Sequence, residues 1–224
     1  MQEDSRLSAA QRGTIMHFVM QHINLERLAA VGVFGSEDSE ADAKARDYNI
    51  ANSAGVTNAS AKANSSSGTN TPELLDEIES QLALMSANEQ LTAAEAEAVS
   101  PKAIAAFFGT AVGRRMLEAK HVHREMTFNI EINCEDVYSE LTDELYSGET
   151  MLLQGVIDCW FETEEGIVLL DYKTDYVPQG GEDIIRKRYM LQIEYYTRAL
   201  EKIIGRRVSE RYIYLFHTGS LLRM

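Results

Sequence analysis

The sequence predicts an α/β or α+β core built on a mixed β-sheet, flanked by helices and preceded by a small helical part. Three observations carry this reading. Apolar residues recur at helical spacing in the first half of the chain. The period shortens to two between residues 121 and 173. A long helical pattern then separates those strands from a last strand-like stretch. At 224 residues the chain is long enough for one large domain or two small ones with a real core.

The elements follow in order. Residues 9–22, AAQRGTIMHFVMQH, place Ile15, Phe18 and Val19, with the adjoining Ile23, at helical spacing. Residues 35–72 are dominated by Ser, Asn, Ala, Gly and Thr and hold almost no large apolar side chains. Such a segment cannot bury enough surface to offset its ordering entropy, so a flexible insertion is expected there. A helical pattern resumes in TPELLDEIESQLALM, with Thr71 as cap, Pro72 in the first turn and acids early. LTAAEAEAVS, SPKAIAAFFGT and TAVGRRMLEA read as three short helices. HVHREMTFNIEI (121–132) is strand-like without clean alternation. MLLQGVIDCWFE (151–162) and GIVLLDYK (166–173) are apolar strands joined through Thr163-Glu164-Glu165-Gly166. Residues 184–204 form a long helix stopped by Gly205, 206–218 a closing strand, and SLLRM a short last one. The expected organisation is one domain over 1–224: a first helix in 1–34, the insertion 35–72, a helical part 73–120 and an α/β core 121–224.

The formal net charge is −14. That argues against a nonspecific nucleic-acid coat or a basic membrane binder, and leaves open an enzyme that handles DNA at one local site. The charge is uneven. Residues 131–183 hold fifteen acids and one base, Lys173, whereas 184–224 hold nine bases and three acids. Two cysteines, Cys134 and Cys159, with no CxxC pair, make a disulfide scaffold, a structural zinc site or an iron–sulfur cluster held by this chain alone unexpected. No apolar run reaches membrane-spanning length and no signal peptide is visible, so a reduced, cytoplasmic protein is expected.

Chemistry concentrates in GVIDCWFETEEGIVLLDYKTD. Asp158 lies inside one apolar strand, and Asp171 and Lys173 lie inside the next. A carboxylate in such a run costs several kcal/mol if unpaired, roughly the effective penalty of a buried ion. Asp171 and Lys173, two apart, share a strand face. A two-residue loop at Glu165-Gly166 would set Asp158 opposite Lys173, and a four-residue loop at Thr163–Gly166 would set it opposite Asp171. Either even loop puts all three on one face. Two hard carboxylates on one face suit Mg²⁺, which keeps waters in its remaining positions. A metal-bound water can be deprotonated near neutral pH, and the lysine can orient it. The spacing is equally compatible with a buried salt bridge of Lys173 and the aspartates. Lys173-Thr174 is not a phosphate loop, because the glycines it requires are missing upstream.

GVIDCWFETEEGIVLLDYKTD followed by RYMLQIEYYTRALEKIIG resembles the RecB-family nuclease domain of the PD-(D/E)XK superfamily, and more narrowly the C-terminal nuclease domains of AddA-type helicase–nucleases. RGTIMHFVMQHI resembles the family's Gly-Thr-x-x-His helix, and FFGTAVGRRMLEAKHVHREMTF the helix and strand after it; only 35–72 fall outside the likeness. The resemblance implies a restriction-endonuclease-like α/β core and a Mg²⁺-dependent deoxyribonuclease of exonuclease type, with Mn²⁺ able to substitute. It implies His17, Asp158, Asp171 and the carbonyl of Tyr172 as metal ligands, and Lys173 as the residue that orients water. It places Gln192 and Tyr196, the Q-x-x-x-Y pair, near the scissile phosphate. Arg186, Lys187 and Arg188 are the expected phosphate contacts. Glu125 stands in an Arg-Glu-x-x-Phe stretch similar to the family's, with a structural role equally open. The implied partners are DNA, chiefly single-stranded, the helicase domains of a parent polypeptide and an AddB-type subunit, in double-strand-break processing for recombination. The readings weighed against it are a free-standing endonuclease of the same superfamily, a noncatalytic DNA-binding module, and a metal-dependent hydrolase of small phosphates.

Overall fold

The computed structural model describes residues 7–32, 72–137, 148–178 and 180–224. The expected insertion, 35–72, lies outside them except for Pro72, as does the expected cap Thr71. Among the described residues six helices come first. They are α1 (Ala9–His22), α2 (Leu25–Val31), α3 (Pro72–Ala87), α4 (Ala93–Ala98), α5 (Pro101–Phe108) and α6 (Ala111–Glu118). Their starts are written in the sequence. Ser8 and Gln11 cap α1 reciprocally, and Thr92 and Glu95 do the same for α4. Asn24, Ser100 and Thr110 each accept a backbone N–H three residues on. The seven-residue α2 was not legible as a helix, being shorter than two full turns of pattern; Gln81 fixes it from α3, accepting from the Asn24 N–H at 2.6 Å.

Among the described residues the sheet has five strands, in the order β1-β2-β3-β4-β5. β1 (Val122–Asn133), β2 (Thr150–Thr163) and β3 (Gly166–Lys173) run antiparallel in sequence. The helix α7 (Glu182–Ile204) then crosses over, so that β4 (Val208–Leu215) lies parallel to β3, and β5 (Ser220–Arg223) closes antiparallel to β4. The mixed α/β fold is therefore as expected.

Each face of the sheet has its own core. Val168, Leu170, Tyr172, Cys159, Phe161 and Tyr214 pack with the helical part, among them Phe107, Phe108, Val19 and Met20. Ile167, Leu169, Trp160, Ile157, Phe128 and Ile213 pack with α7 through Ile185, Ile193 and Leu200. The hairpin β2–β3 pairs Cys159 with Leu170 and Thr163 with Gly166, which leaves only Glu164-Glu165 as the loop. This is the register that puts Asp158 opposite Asp171.

In β1–β2 the alternation slips. Met126, Phe128 and Ile130 face α7, as do Ile157 and Leu153, but Val122, Cys159 and Phe161 face the helical part. The pairing runs Met126↔Ile157 and then Arg124↔Cys159, with Glu125 and Asp158 left out of the ladder. Glu125 has φ +51, a conformation a glutamate adopts only under constraint. Both strands change facing at the same place, which is where the chemistry gathers.

Candidate active site

Four elements meet at this slip. α1 brings His17, β1 brings Glu125, β2 brings Asp158, and β3 brings Asp171 and Lys173. His17 Nδ1 lies 3.4 Å from Asp158 Oδ1 and 3.5 Å from Glu125 Oε1. The ligating atoms of His17, Glu125 and Asp158 all fall within 4.8 Å of one another. α1 presents Gly13 to the segment just beyond β3, where a Cβ would stand 3.0 Å from Thr174 Oγ1, a tight contact that the threonine side chain would have to relieve.

Asp158 does not sit squarely on the shared face expected for it. Its Oδ2 accepts the Tyr172 N–H at 2.7 Å, so the carboxylate bridges β2 and β3 where their ladder ends. Asp171 is fully buried, and neither of its oxygens accepts a well-aligned hydrogen bond among the described residues. Lys173 Nζ lies 2.5 Å from Asp171 Oδ2 as an ion pair, and 4.5 Å from the centroid of the Tyr189 ring. Asp171 thus stands beside the histidine-centred group, turned to the lysine, while Glu125 takes the third place in that group. Glu125 carried too little sequence signal to rank with the others. Only the Arg-Glu-x-x-Phe stretch pointed to it, and its positive φ is invisible in sequence.

The electrostatics describe a site short of positive charge. Burial and then the Asp158 charge push the Asp171 carboxyl above its ordinary value, and Lys173 only partly opposes them. Burial and Asp158 push Glu125 up in the same way. Burial would lower His17 and Lys173, but the neighbouring carboxylates outweigh it, so both are raised. Acceptor-only oxygens, one imidazole and a buried carboxylate with one oxygen unpartnered are a donor set that a hard divalent cation would satisfy.

On α7, Gln192 Nε2 donates to the Tyr196 hydroxyl at 2.7 Å, and the Tyr196 ring meets Phe128 edge-on at 5.7 Å. Gly155 makes room for that Phe128 ring. The Tyr196 hydroxyl is raised chiefly by burial, and the charges of Asp171 and Asp158 reach it. The basic run is less free than expected. Arg186 pairs with Asp183 at 3.2 Å, Arg188 pairs with Asp175 at 3.2 Å, and Lys187 is exposed.

A mixed sheet with a crossover helix, and a strand-borne Asp and Asp-x-Lys beside a helix histidine, define a class of protein. The chain matches the PD-(D/E)XK nuclease superfamily over residues 1–219, and it belongs to that superfamily. Within it, the chain is similar to an AddA-type ATP-dependent helicase/nuclease from Acetivibrio thermocellus, 40% identical over 222 residues, which are 99% of this chain and 14% of that protein. It is likewise similar to the protein of the same name from Ruminiclostridium cellulolyticum, 38% identical over 97% of this chain and 14% of the relative. The one from Thermoanaerobacter sp. X514 is 46% identical over 66% of this chain and 12% of the relative. The chain thus spans about a seventh of the length of these relatives. Among the described residues no helix is long and apolar enough to cross a membrane.

Proposed function

We propose that this chain, over 1–224, is a single metal-dependent deoxyribonuclease domain that hydrolyses phosphodiester bonds of DNA, chiefly single-stranded. The observation that carries it is Asp171, fully buried with Lys173 as the partner of one oxygen and nothing among the described residues on the other, next to the His17–Glu125–Asp158 group. Mg²⁺, with Mn²⁺ as substitute, is the ion these residues fit, held by His17, Asp158, Asp171 and the Tyr172 carbonyl, with Glu125 added to the set. When bound, the ion would supply a water more acidic than bulk water and would offset charge on the phosphate.

The chain's own groups do the rest. Lys173 orients the attacking water and steadies charge that grows on the phosphate oxygens. The Gln192–Tyr196 pair positions the strand beside the carboxylates. Lys187 contacts backbone phosphates, as do the N–H groups that Arg186 and Arg188 keep beyond their aspartate pairs. The likeness to helicase/nucleases supports a cytoplasmic setting in which motor domains and an AddB-type partner deliver DNA ends for recombination.

The test is incubation with single-stranded DNA, with and without Mg²⁺ or Mn²⁺. Cleavage should require the ion and drop roughly 10²–10³-fold in Asp171→Ala, the scale of losing a central electrostatic group. Metal-independent cutting, or a variant as fast as the wild type, would overturn the reading.

A further inference from the structure

Lys173 ends in an ammonium on four flexible carbons, and β3 alone does not fix where it points. Asp171, two residues back on the same face, holds it at one oxygen, 2.5 Å away. A single carboxylate contact lets the ammonium swing about that oxygen. The second contact comes from another element: the Tyr189 ring of α7, with Nζ 4.5 Å from its centroid. The face of an aromatic ring carries the negative part of its quadrupole and attracts a cation at this distance.

Tyr189 is itself held. Its hydroxyl donates to Asp175 Oδ2 at 2.9 Å, and Arg188 Nη1 donates to Asp175 Oδ1 at 3.2 Å. Asp175 lies two residues after Lys173, so the contacts close a ring from the end of β3 through Asp175 and Tyr189 back to the lysine. Tyr189, Gln192 and Tyr196 also stand at i, i+3 and i+7, on one face of α7.

We propose that Tyr189 is a positioning residue that holds the Lys173 ammonium in its working pose through the face of its ring. This rests on the nuclease reading of Lys173. The choice of an aromatic ring has a chemical reason. A second carboxylate would take up another N–H of the ammonium, whereas a ring face attracts the charge and leaves N–H groups for a water or a phosphate oxygen.

The test uses the 224-residue chain with Leu, Phe and 3,4,5-trifluorophenylalanine at position 189. Two readouts are taken. The first is the NMR shift of the Lys173 ε-methylene protons without metal, which a ring face moves upfield. The shift should be present in the wild type and Tyr189→Phe and absent in Tyr189→Leu. The second is cleavage of a single-stranded oligonucleotide with Mg²⁺. For Tyr189→Leu kcat should fall about tenfold or more with KM nearly unchanged, Phe should restore most of it, and the fluorinated ring should restore less because its quadrupole is weakened. Fluorination keeps the packing, so a graded loss has no structural explanation. The proposal is overturned by a wild-type lysine with no ring shift, by equal kcat across the series, or by a loss carried by KM. If the wild type fails to cut DNA, the nuclease reading fails, and the ring shift still decides the placement of Lys173.

Discussion

Asp158 is asked for two things at once, and substitutions separate them. Its Oδ2 satisfies the buried Tyr172 N–H, while Oδ1 faces His17. Asp158→Asn keeps an acceptor for the backbone and should stay close to wild-type stability. Asp158→Ala strands that N–H and should cost about 1–3 kcal/mol more, the usual penalty of an unsatisfied buried donor. Both should lose DNA cleavage alike. Denaturant melts that place the two variants together would remove the bridging role. A second carboxylate, far from the site, sets an acid limit. Arg115 grips Glu210 at 2.6 and 3.0 Å, and the Tyr212 hydroxyl donates to it. The Arg115 guanidinium holds the Glu210 carboxyl below its ordinary 4.5, against the opposing effect of burial. A folded value below the unfolded one gives stability that is present above pH 4.5 and lost as pH falls through the folded value. Glu210→Gln should therefore melt lower than wild type at pH 7 and lose less on acidification below 4.5; parallel pH curves would contradict this.

Among the elements, α1 matters most because it carries His17. Arg124 on β1 pins its C-terminal end, donating to the Met20 and Ile23 carbonyls at 3.1 and 2.6 Å. The same strand then turns through the constrained Glu125, so one dipeptide fastens the helix and supplies an acid beside its histidine. Arg124→Met keeps the apolar stem and removes the pin. It should cost about 1.5–3 kcal/mol, the range for hydrogen bonds to a charged group, and weaken metal binding through a looser His17. Titration with Mn²⁺ at wild-type affinity would show that α1 needs no such anchor. Much of this was legible in sequence, since helical stretches mark α1 and α3 through α7, with Gly205 ending the last, and the two apolar runs mark the central hairpin. The parts that escaped depend on three-dimensional context. α2 is too short to show a pattern. The slip at Glu125 and Asp158 leaves the pairing register unchanged, so no spacing records it. Tyr189 sits on a stripe of α7 that also packs against the sheet, and only the approach of Lys173 sets it apart.

For the molecule as a whole, the site gathers Glu125, Asp158 and Asp171 about Lys173 and His17, so ion binding and stability should be linked. Saturating Mg²⁺ at about 100 times its Kd would add about 2.7 kcal/mol. In a chain of this size that corresponds to a rise in Tm of roughly 5–10 °C. Asp171→Asn should lose most of the Mg²⁺ response. An unchanged response would place the ion elsewhere. The slip in β1–β2 carries a further consequence, for motion. One hairpin is packed into two cores, residues 126–132 against α7 and residues 122–124 against the helical part. Local opening of either core should release only its own stretch of the strand. Amide hydrogen exchange along β1 would then fall into two kinetic groups that meet at Glu125, with the nuclease centre on the seam between two units that can breathe independently.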